Sequence, residues 1–479
     1  MTASSARWRT IAQMALGTGI LQLANMITYI ALARLLIPEE YGTYRQLFLI
    51  SQLVWGIIFA ALPSTILYFG GRASSPQEKD AIVRQHLWLV AICGMVVFAM
   101  IFAGRNVAAN AFGNPELARL LAWFSLYPAA QMLIQLVPPV LILKEKTRLM
   151  PMYTASVALF TTSAVVSAAW LYRDVNAVVL AATGMACLSA VAATILTLRL
   201  SSRPTHADMS IYEILQYGWP LLLATAVGMV GLRLDHIAVS NLLGPVLYAI
   251  YAVGAFEIPV YSLIKSSSGS VFLPEISRLA KREAWPSVLA AWRDMQRKNA
   301  ALIFPLSAFF FAYSEPLIVT VFGAEYRESA PIFAVFALLA PVRFVAFNTI
   351  MRATGHTRFD LLAATFFLLV VATIIWPVTS RFNLPGAAIA VVACTYLMAF
   401  FMLLLTRAAT GARFSVLQLY PPRLIVSFAV LLIALWSLAG IGGLDASPIL
   451  DLLFGSGITL LISVILLKKQ SLLAPELKS

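Results

Sequence analysis

Six ionisable side chains lie inside the long apolar runs of this 479-residue chain: Arg45, Arg233, Asp235, Glu257, Lys265 and Arg343. A charge buried in lipid is costly, so such groups are expected to face a cavity or one another. Four of the six are basic and two are acidic. The sequence therefore predicts a polar, mildly cationic cavity between membrane helices.

The spacing of these residues predicts how they are arranged. Glu257, Tyr261 and Lys265 follow one another at intervals of four, which places them on one face of a continuous helix. Arg233 and Asp235 are two residues apart and would point in nearly opposite directions on an ideal helix. We expect a distorted helix there, since two glycines lie just upstream.

The first part of the chain carries amides in place of charges. Its apolar runs contain Gln13, Gln22, Asn25, Gln46, Gln131 and Gln135. We expect Gln22 and Asn25 to line the cavity together with the basic residues. Arginine suits an anionic ligand because its planar fork donates two hydrogen bonds to phosphate oxygens.

The composition is that of a membrane protein. Hydrophobic residues make up 61% of the chain and charged residues 11%, whereas soluble domains average about 25% charged residues. We count fourteen runs long enough to span a bilayer, several with internal proline that predicts kinks. The run after Arg7 and Arg9 is too long for a signal peptide, so we interpret it as a retained first helix.

The basic residues predict the orientation in the membrane. With alternating loops and the N-terminus inside, 24 of the 34 Lys and Arg fall on the inside and six on the outside. This asymmetry predicts cytoplasmic N- and C-termini. The longest polar segment, 275–297, carries Trp285, Leu289 and Trp292 on one helical face, which predicts an interfacial amphipathic connector.

Several classes of function are disfavoured. The formal charge of +13 is spread over short loops and forms no nucleic-acid-binding domain. The three cysteines and four histidines show no metal-site spacing, and no nucleotide-binding loop is present. We therefore expect no metal, no cofactor and no catalytic residues.

A repeat divides the chain. "LLIPEEYGTY" at 35–44 shares its skeleton with "LLGPVLYAIY" at 242–251, an offset of 207 residues. Later landmarks recur in the same order at similar offsets, including Phe112-Gly113 with Phe322-Gly323 and Thr147-Arg148 with Thr357-Arg358. Ordered recurrence of this kind indicates duplication. We interpret the motif itself as a structural turn in which proline ends one helix and the tyrosines anchor the next at the membrane interface.

The duplication predicts an all-α fold with two six-helix lobes and a pseudo-twofold axis along the membrane normal. The expected boundaries are 1–200 for the first lobe, 201–213 for a cytoplasmic linker, 214–410 for the second lobe and 411–479 for two additional helices.

Four phrases give a resemblance to a known family: "ALARLLIPEEYGTYRQL", "VSNLLGPVLYAIYAVGAFEIPVYSLIKSSSGSVFLPEISRL", "FGAEYRESAPIF" and "RATGHTRFDLL". They resemble the polysaccharide-exporter branch of the MOP superfamily, which also contains the MATE drug exporters and the lipid II flippases. The resemblance covers nearly the whole chain and is closest to Wzx-type flippases.

The resemblance implies a bacterial inner-membrane flippase and not an enzyme. Its cargo would be an undecaprenyl-diphosphate-linked oligosaccharide for lipopolysaccharide O-antigen or exopolysaccharide, with polymerase and chain-length proteins as possible partners. Arg343, Arg233, Arg45 and Lys265 would then contact the diphosphate. Asp235 and Glu257 would pair with these cations or bind a coupling ion; alternatively, the charges form ion pairs that latch the lobes.

The sequence leaves two alternative functions. A MATE-type exporter of cationic molecules should have a net acidic cavity, in contrast to the charges found here. A membrane glycosyltransferase or polymerase should display a large external loop, and the sequence predicts none.

Overall fold

Helices account for all the regular secondary structure that the computed structural model describes. It describes residues 3–59, 62–201, 211–256, 258–345, 347–356, 358–420 and 422–441, with 452, 455–459 and 462–463. The predicted all-α fold is confirmed for this part of the chain.

The chain forms two compact units, 1–249 and 250–479. The helices of the first unit are α1 (Ala3–Leu35), α2 (Pro38–Phe59), α3 (Leu62–Arg72), α4 (Pro76–Ala111), α5 (Glu116–Phe124), α6 (Leu126–Leu143), α7 (Leu149–Tyr172), α8 (Val175–Leu200), α9 (Ile211–Gly231) and the larger part of α10 (Leu234–Gly254). In this unit α1 packs against α7, α6 packs against α4 and α8, and α2 packs against α9.

The second unit contains several short helices beside one long helix of 52 residues. They are α11 (Pro259–Lys281), α12 (Trp285–Ala312), α13 (Ser314–Phe322), α14 (Ser329–Ala337), α15 (Ala340–Arg343), α16 (Phe347–Ala353), α17 (Arg358–Ala409), α18 (Val416–Leu419) and α19 (Pro422–Ile441), with one 3₁₀ turn at Ala324–Tyr326. Here α12 packs against α11, α14 and α19.

Within the described ranges, seven helical segments are long and apolar enough to cross a membrane, or eight if α12 and α13 form one bent span. One of the seven is α17, whose 52 residues contain a break at Asn383 and cover two of the predicted runs. The last predicted run, beginning near Ser447, falls largely outside the described residues. The count of fourteen spans therefore stays a prediction.

The repeated motif forms a helix break in both copies, as expected, but its tyrosines lie elsewhere than predicted. Pro38 begins α2 after α1 ends at Leu35, and Pro245 follows Gly244, whose φ of +77° divides α10 into two helical parts. Tyr41, Tyr44, Tyr248 and Tyr251 are all at most 2% exposed. The prediction that these tyrosines anchor the helices at the membrane interface is wrong, because all four rings pack inside the protein.

Two helix breaks determine where the charged residues lie. The chain turns between α9 and α10 at Leu232-Arg233, which confirms the distortion expected between Arg233 and Asp235. A second break separates α10 from α11, which begins at Pro259. The continuous helix that would place positions 257, 261 and 265 on one face is therefore wrong: proline starts a new helix here.

Candidate functional site

Three of the predicted charges gather in the first unit. The Arg45 guanidinium lies over the Tyr29 ring, 4.6 Å from its centroid. Tyr248 on α10 is close enough to interact electrostatically with Arg45, Arg233 and Asp235. The turn between α9 and α10 makes this possible, since Arg233 precedes the new helix and Asp235 lies in its first turn.

Asp235 has a histidine as a close neighbour. Its Oδ2 atom is 4.0 Å from Nε2 of His236, and both side chains are buried. The His236 ring also packs edge-on against Tyr248, with centroids 5.9 Å apart. The acidic group is thus part of a polar cluster containing two arginines, a histidine and a tyrosine.

A chain of buried amides runs beside this cluster. Gln46 Nε2 donates to Ser240 Oγ at 2.9 Å, and Gln46 Oε1 accepts from Asn114 Nδ2 at 2.8 Å. Asn114 Nδ2 also donates to Thr43 Oγ1 at 2.9 Å. Because Gln46 and Ser240 are fully buried, these bonds connect α2, the loop before α5 and α10 in a low-dielectric environment where unpaired polar groups are costly.

Arg343 occupies a separate site in the second unit. It ends the short helix α15, and its guanidinium lies 4.5 Å from the centre of the Tyr261 ring. The Tyr261 hydroxyl is 2.6 Å from Ser307 Oγ, which fixes the ring. Tyr261 and Arg343 line a small cavity of about 20 Å³ whose other walls include Phe310, Phe333 and Phe336.

The arginines lack acidic partners in the part of the chain that the structure describes. Among these residues, no carboxylate lies within ion-pairing distance of Arg45, Arg233 or Arg343. Arg45 and Arg343 each stack on a tyrosine instead. An arginine held by a ring face keeps its hydrogen-bond donors available to an anion.

The two predicted α1 amides lie on neighbouring turns. Asn25 is exposed to a cavity of about 200 Å³ inside the first unit and forms part of its wall. Gln22 is half-buried, and its Oε1 atom has no hydrogen-bond partner among the described residues.

The two remaining predicted residues, Glu257 and Lys265, are assigned neither to the Arg45 cluster nor to the Arg343 site. Glu257 lies outside the described residues. Lys265 is within α11, but its side chain is outside the described part of the chain. Their roles stay predictions. No group of three or more potential metal ligands occurs among the described residues.

The aromatic residues of the first-unit cavity were not predicted as site residues. Tyr127, Gln131 and Gln135 occur at intervals of four along α6, and Phe48, Gln52 and Trp55 follow a similar spacing along α2. Rings and amides that alternate on one helical face indicate a polar cavity, so this pattern could have predicted the lining. It is hard to recognise because the opposite faces of these helices are apolar as well.

Comparison with known proteins gives matches of sequence and fold. A family model described as "Polysaccharide biosynthesis protein" matches residues 31–331. The capsular polysaccharide biosynthesis protein CapF of Staphylococcus aureus is 24% identical over 174 residues, which are 36% of this chain and 44% of that protein. The chain thus matches less than half the length of this curated relative.

Two solved structures share the fold. The lipid II flippase MurJ in an inward closed conformation aligns with a TM-score of 0.75 at 15% identity, covering 97% of this chain and 99% of that chain. An inward-facing multidrug resistance MATE family transporter of the MOP superfamily aligns with a TM-score of 0.61 at 13% identity, covering 84% of this chain and 98% of that chain. At these identities the likeness is one of architecture.

Proposed function

The chain belongs to the polysaccharide biosynthesis protein family within the MOP superfamily, and from this premise we propose that it is a flippase for undecaprenyl-diphosphate-linked oligosaccharide repeat units. It is a multi-pass membrane protein of a transporter class and not an enzyme.

The proposed direction of transport is from the cytoplasmic to the periplasmic leaflet of the bacterial inner membrane. Both termini would lie in the cytoplasm. The two lobes, 1–200 and 214–410, would alternate between opening to one side and to the other. The product would supply a surface polysaccharide such as O-antigen, exopolysaccharide or capsule, in a pathway with a polymerase and chain-length proteins.

The observation that carries this proposal is the site of Arg343. Its guanidinium lies against Tyr261 inside an aromatic cavity, and no described carboxylate neutralises it. A permanent cation that is half-buried among aromatic rings is stabilised when an anion binds it. A diphosphate suits this cation because guanidinium donates paired hydrogen bonds to phosphate oxygens.

The cluster of Arg45, Arg233 and Asp235 is a second place where the negatively charged diphosphate could bind. Two arginines near one carboxylate leave an excess positive charge for the diphosphate.

The test is the replacement of Arg343 in cells that depend on this protein for surface polysaccharide. Arg343→Ala should abolish surface polysaccharide and cause lipid-linked repeat units to accumulate on the cytoplasmic side. Arg343→Lys should retain part of the function, because it keeps the charge but not the fork. Normal polysaccharide with Arg343→Ala at wild-type protein level would contradict the proposal.

The same cells can test the alternative of a MATE-type exporter. That function predicts resistance to cationic compounds which disappears when the gene is deleted. The cationic clusters disfavour it, since like charge repels such cargo. Loss of resistance with unchanged polysaccharide would favour the exporter over the flippase.

A further inference from the structure

A cavity with a polar lining lies entirely within the first unit and shares no residue with the Arg343 site. Its volume of about 200 Å³ equals roughly six or seven water molecules at about 30 Å³ each. Its walls come from α1, α2, α6, α7 and α8. Among the residues that line it, none is charged.

Amide groups supply much of its polar surface. The side chains of Asn25, Gln52, Gln131 and Gln135 all reach the cavity. Each amide offers donors and an acceptor next to one another. This arrangement matches neighbouring hydroxyl groups, which likewise donate and accept.

Aromatic rings form another large part of the wall. Tyr29, Tyr44, Phe48, Trp55, Tyr127 and Tyr153 line the cavity. Phe48 contacts Tyr44 and Tyr127 with ring centroids 4.5 and 5.1 Å apart, so these rings form one continuous surface. Ring faces carry negative charge density, and the polarised C–H groups of a sugar pack favourably against them.

A buried hydroxyl at the cavity has no partner. Ser51 is 1% exposed, and its Oγ atom forms no hydrogen bond within the described part of the chain. A buried polar atom of this kind destabilises the protein unless something in the cavity satisfies it. It is an independent indication that a hydrogen-bonding ligand occupies this space.

The chemistry excludes other occupants. A cationic compound would be repelled by the Arg45 guanidinium, which lies against the Tyr29 wall of the cavity, and the lining offers no carboxylate to offset this. A lipid chain would leave four amides unsatisfied. Arg45 stacks on Tyr29, which is itself a cavity wall, so a phosphate held by Arg45 would lie beside a group held in the cavity.

We propose that this cavity binds an uncharged sugar of the cargo, while the arginines bind its diphosphate. This inference rests on the proposed flippase function and adds a saccharide subsite to it. The cavity would then contribute to the choice among lipid-linked oligosaccharides that carry the same diphosphate.

The experiment separates the two parts of the cargo, using the purified full-length protein in detergent. One probe is the phosphate-free glycan released from the lipid-linked oligosaccharides of the same cells. The other is undecaprenyl diphosphate without sugar. Binding of the glycan is measured by saturation-transfer NMR, and binding of the diphosphate lipid by its displacement of labelled lipid-linked oligosaccharide.

Gln135→Ala and Ser51→Ala should weaken glycan binding by about two- to tenfold, as expected for the loss of one hydrogen bond. Both should leave binding of undecaprenyl diphosphate unchanged. Arg343→Ala should weaken binding of undecaprenyl diphosphate and leave glycan binding unchanged. Ser51→Ala removes only an unpaired hydroxyl, so it is the variant least able to disturb folding. Gln216→Ala, on an exposed position of α9, serves as the control.

The outcomes distinguish this proposal from the one on which it rests. The sugar site is wrong and the flippase proposal stands if undecaprenyl diphosphate binds but the glycan does not. The same holds if the glycan binds both cavity variants as tightly as it binds the wild type. If neither probe binds, both proposals fail.

Discussion

Gly42 lies directly against the backbone of Pro245. A Cβ atom at position 42 would come within 2.6 Å of the Pro245 carbonyl carbon and closer still to its oxygen, so only glycine permits this approach of α2 to α10. The two residues belong to the two copies of the repeated motif. The motif is therefore a contact between helices as well as a marker of duplication.

Gly42→Ala should separate α2 from α10, since the Pro245 backbone cannot yield as a flexible side chain would. The readout is maleimide labelling of Ser240→Cys, a fully buried position, in a protein lacking its three native cysteines. Labelling should rise with Gly42→Ala and stay low with Gly104→Ala, where the added methyl group meets open space. Equal labelling in both would contradict the close contact.

Gln46→Ala should lower stability, because it leaves Ser240 without this bond and removes one acceptor from Asn114. The expected cost is about 1–3 kcal/mol for a buried polar partner left unsatisfied. Chemical unfolding in detergent measures it, with Gln216→Ala as an exposed control. If Gln46→Ala and Gln216→Ala unfold at the same denaturant concentration, the hydrogen bonds of Gln46 do not stabilise the protein.

Tyr261 should position Arg343 mainly through its ring. Tyr261→Phe keeps the ring face and loses the hydroxyl, which interacts with Ser307 and Arg343, whereas Tyr261→Leu also removes the cation–π contact. The contact is worth about 0.5–2 kcal/mol, or roughly two- to thirtyfold in affinity for the diphosphate lipid. Binding should follow the order wild type, Phe, Leu. An equal loss in both variants would show that the hydroxyl, not the ring, is responsible.

Trp292 should contribute to stability as a buried residue. Its indole donates to the Leu419 carbonyl at 3.1 Å, and Gln296 donates to the same oxygen at 2.8 Å. Trp292→Phe should destabilise the protein by about 1 kcal/mol, with the remaining Gln296 bond limiting the loss. Trp88→Phe, at a 72% exposed position, should have little effect. A larger effect at Trp88 would contradict the packing described here.

Trp292 also illustrates what the sequence could not predict. Trp285, Leu289 and Trp292 were expected on an interfacial connector, yet Trp292 is fully buried beneath Leu419 and Leu289 is 9% exposed. An amphipathic face looks the same whether it meets lipid headgroups or another helix. The tyrosines of the repeated motif were misassigned for the same reason: an apolar ring with a hydroxyl suits both environments.

The charged residues were more predictable. A charge inside an apolar run has few acceptable environments, so Arg45, Arg233 and Asp235 could be expected near a shared polar region. The break after Gly231 could also be anticipated from the spacing of Arg233 and Asp235. The cavity amides were less evident, because a neutral side chain in a membrane helix has several ways to satisfy its hydrogen bonds.

The most direct test of the central claim is transport in reconstituted vesicles. Lipid-linked oligosaccharide from the same cells is placed in vesicles, and its exposure to an added lectin is followed over time. Wild-type protein should make the inner-leaflet pool accessible, and Arg343→Ala should slow this by about tenfold or more, the effect of losing a charged hydrogen bond. Wild-type vesicles that leave the inner pool protected, or equal rates for Arg343→Ala and wild type, would contradict the account.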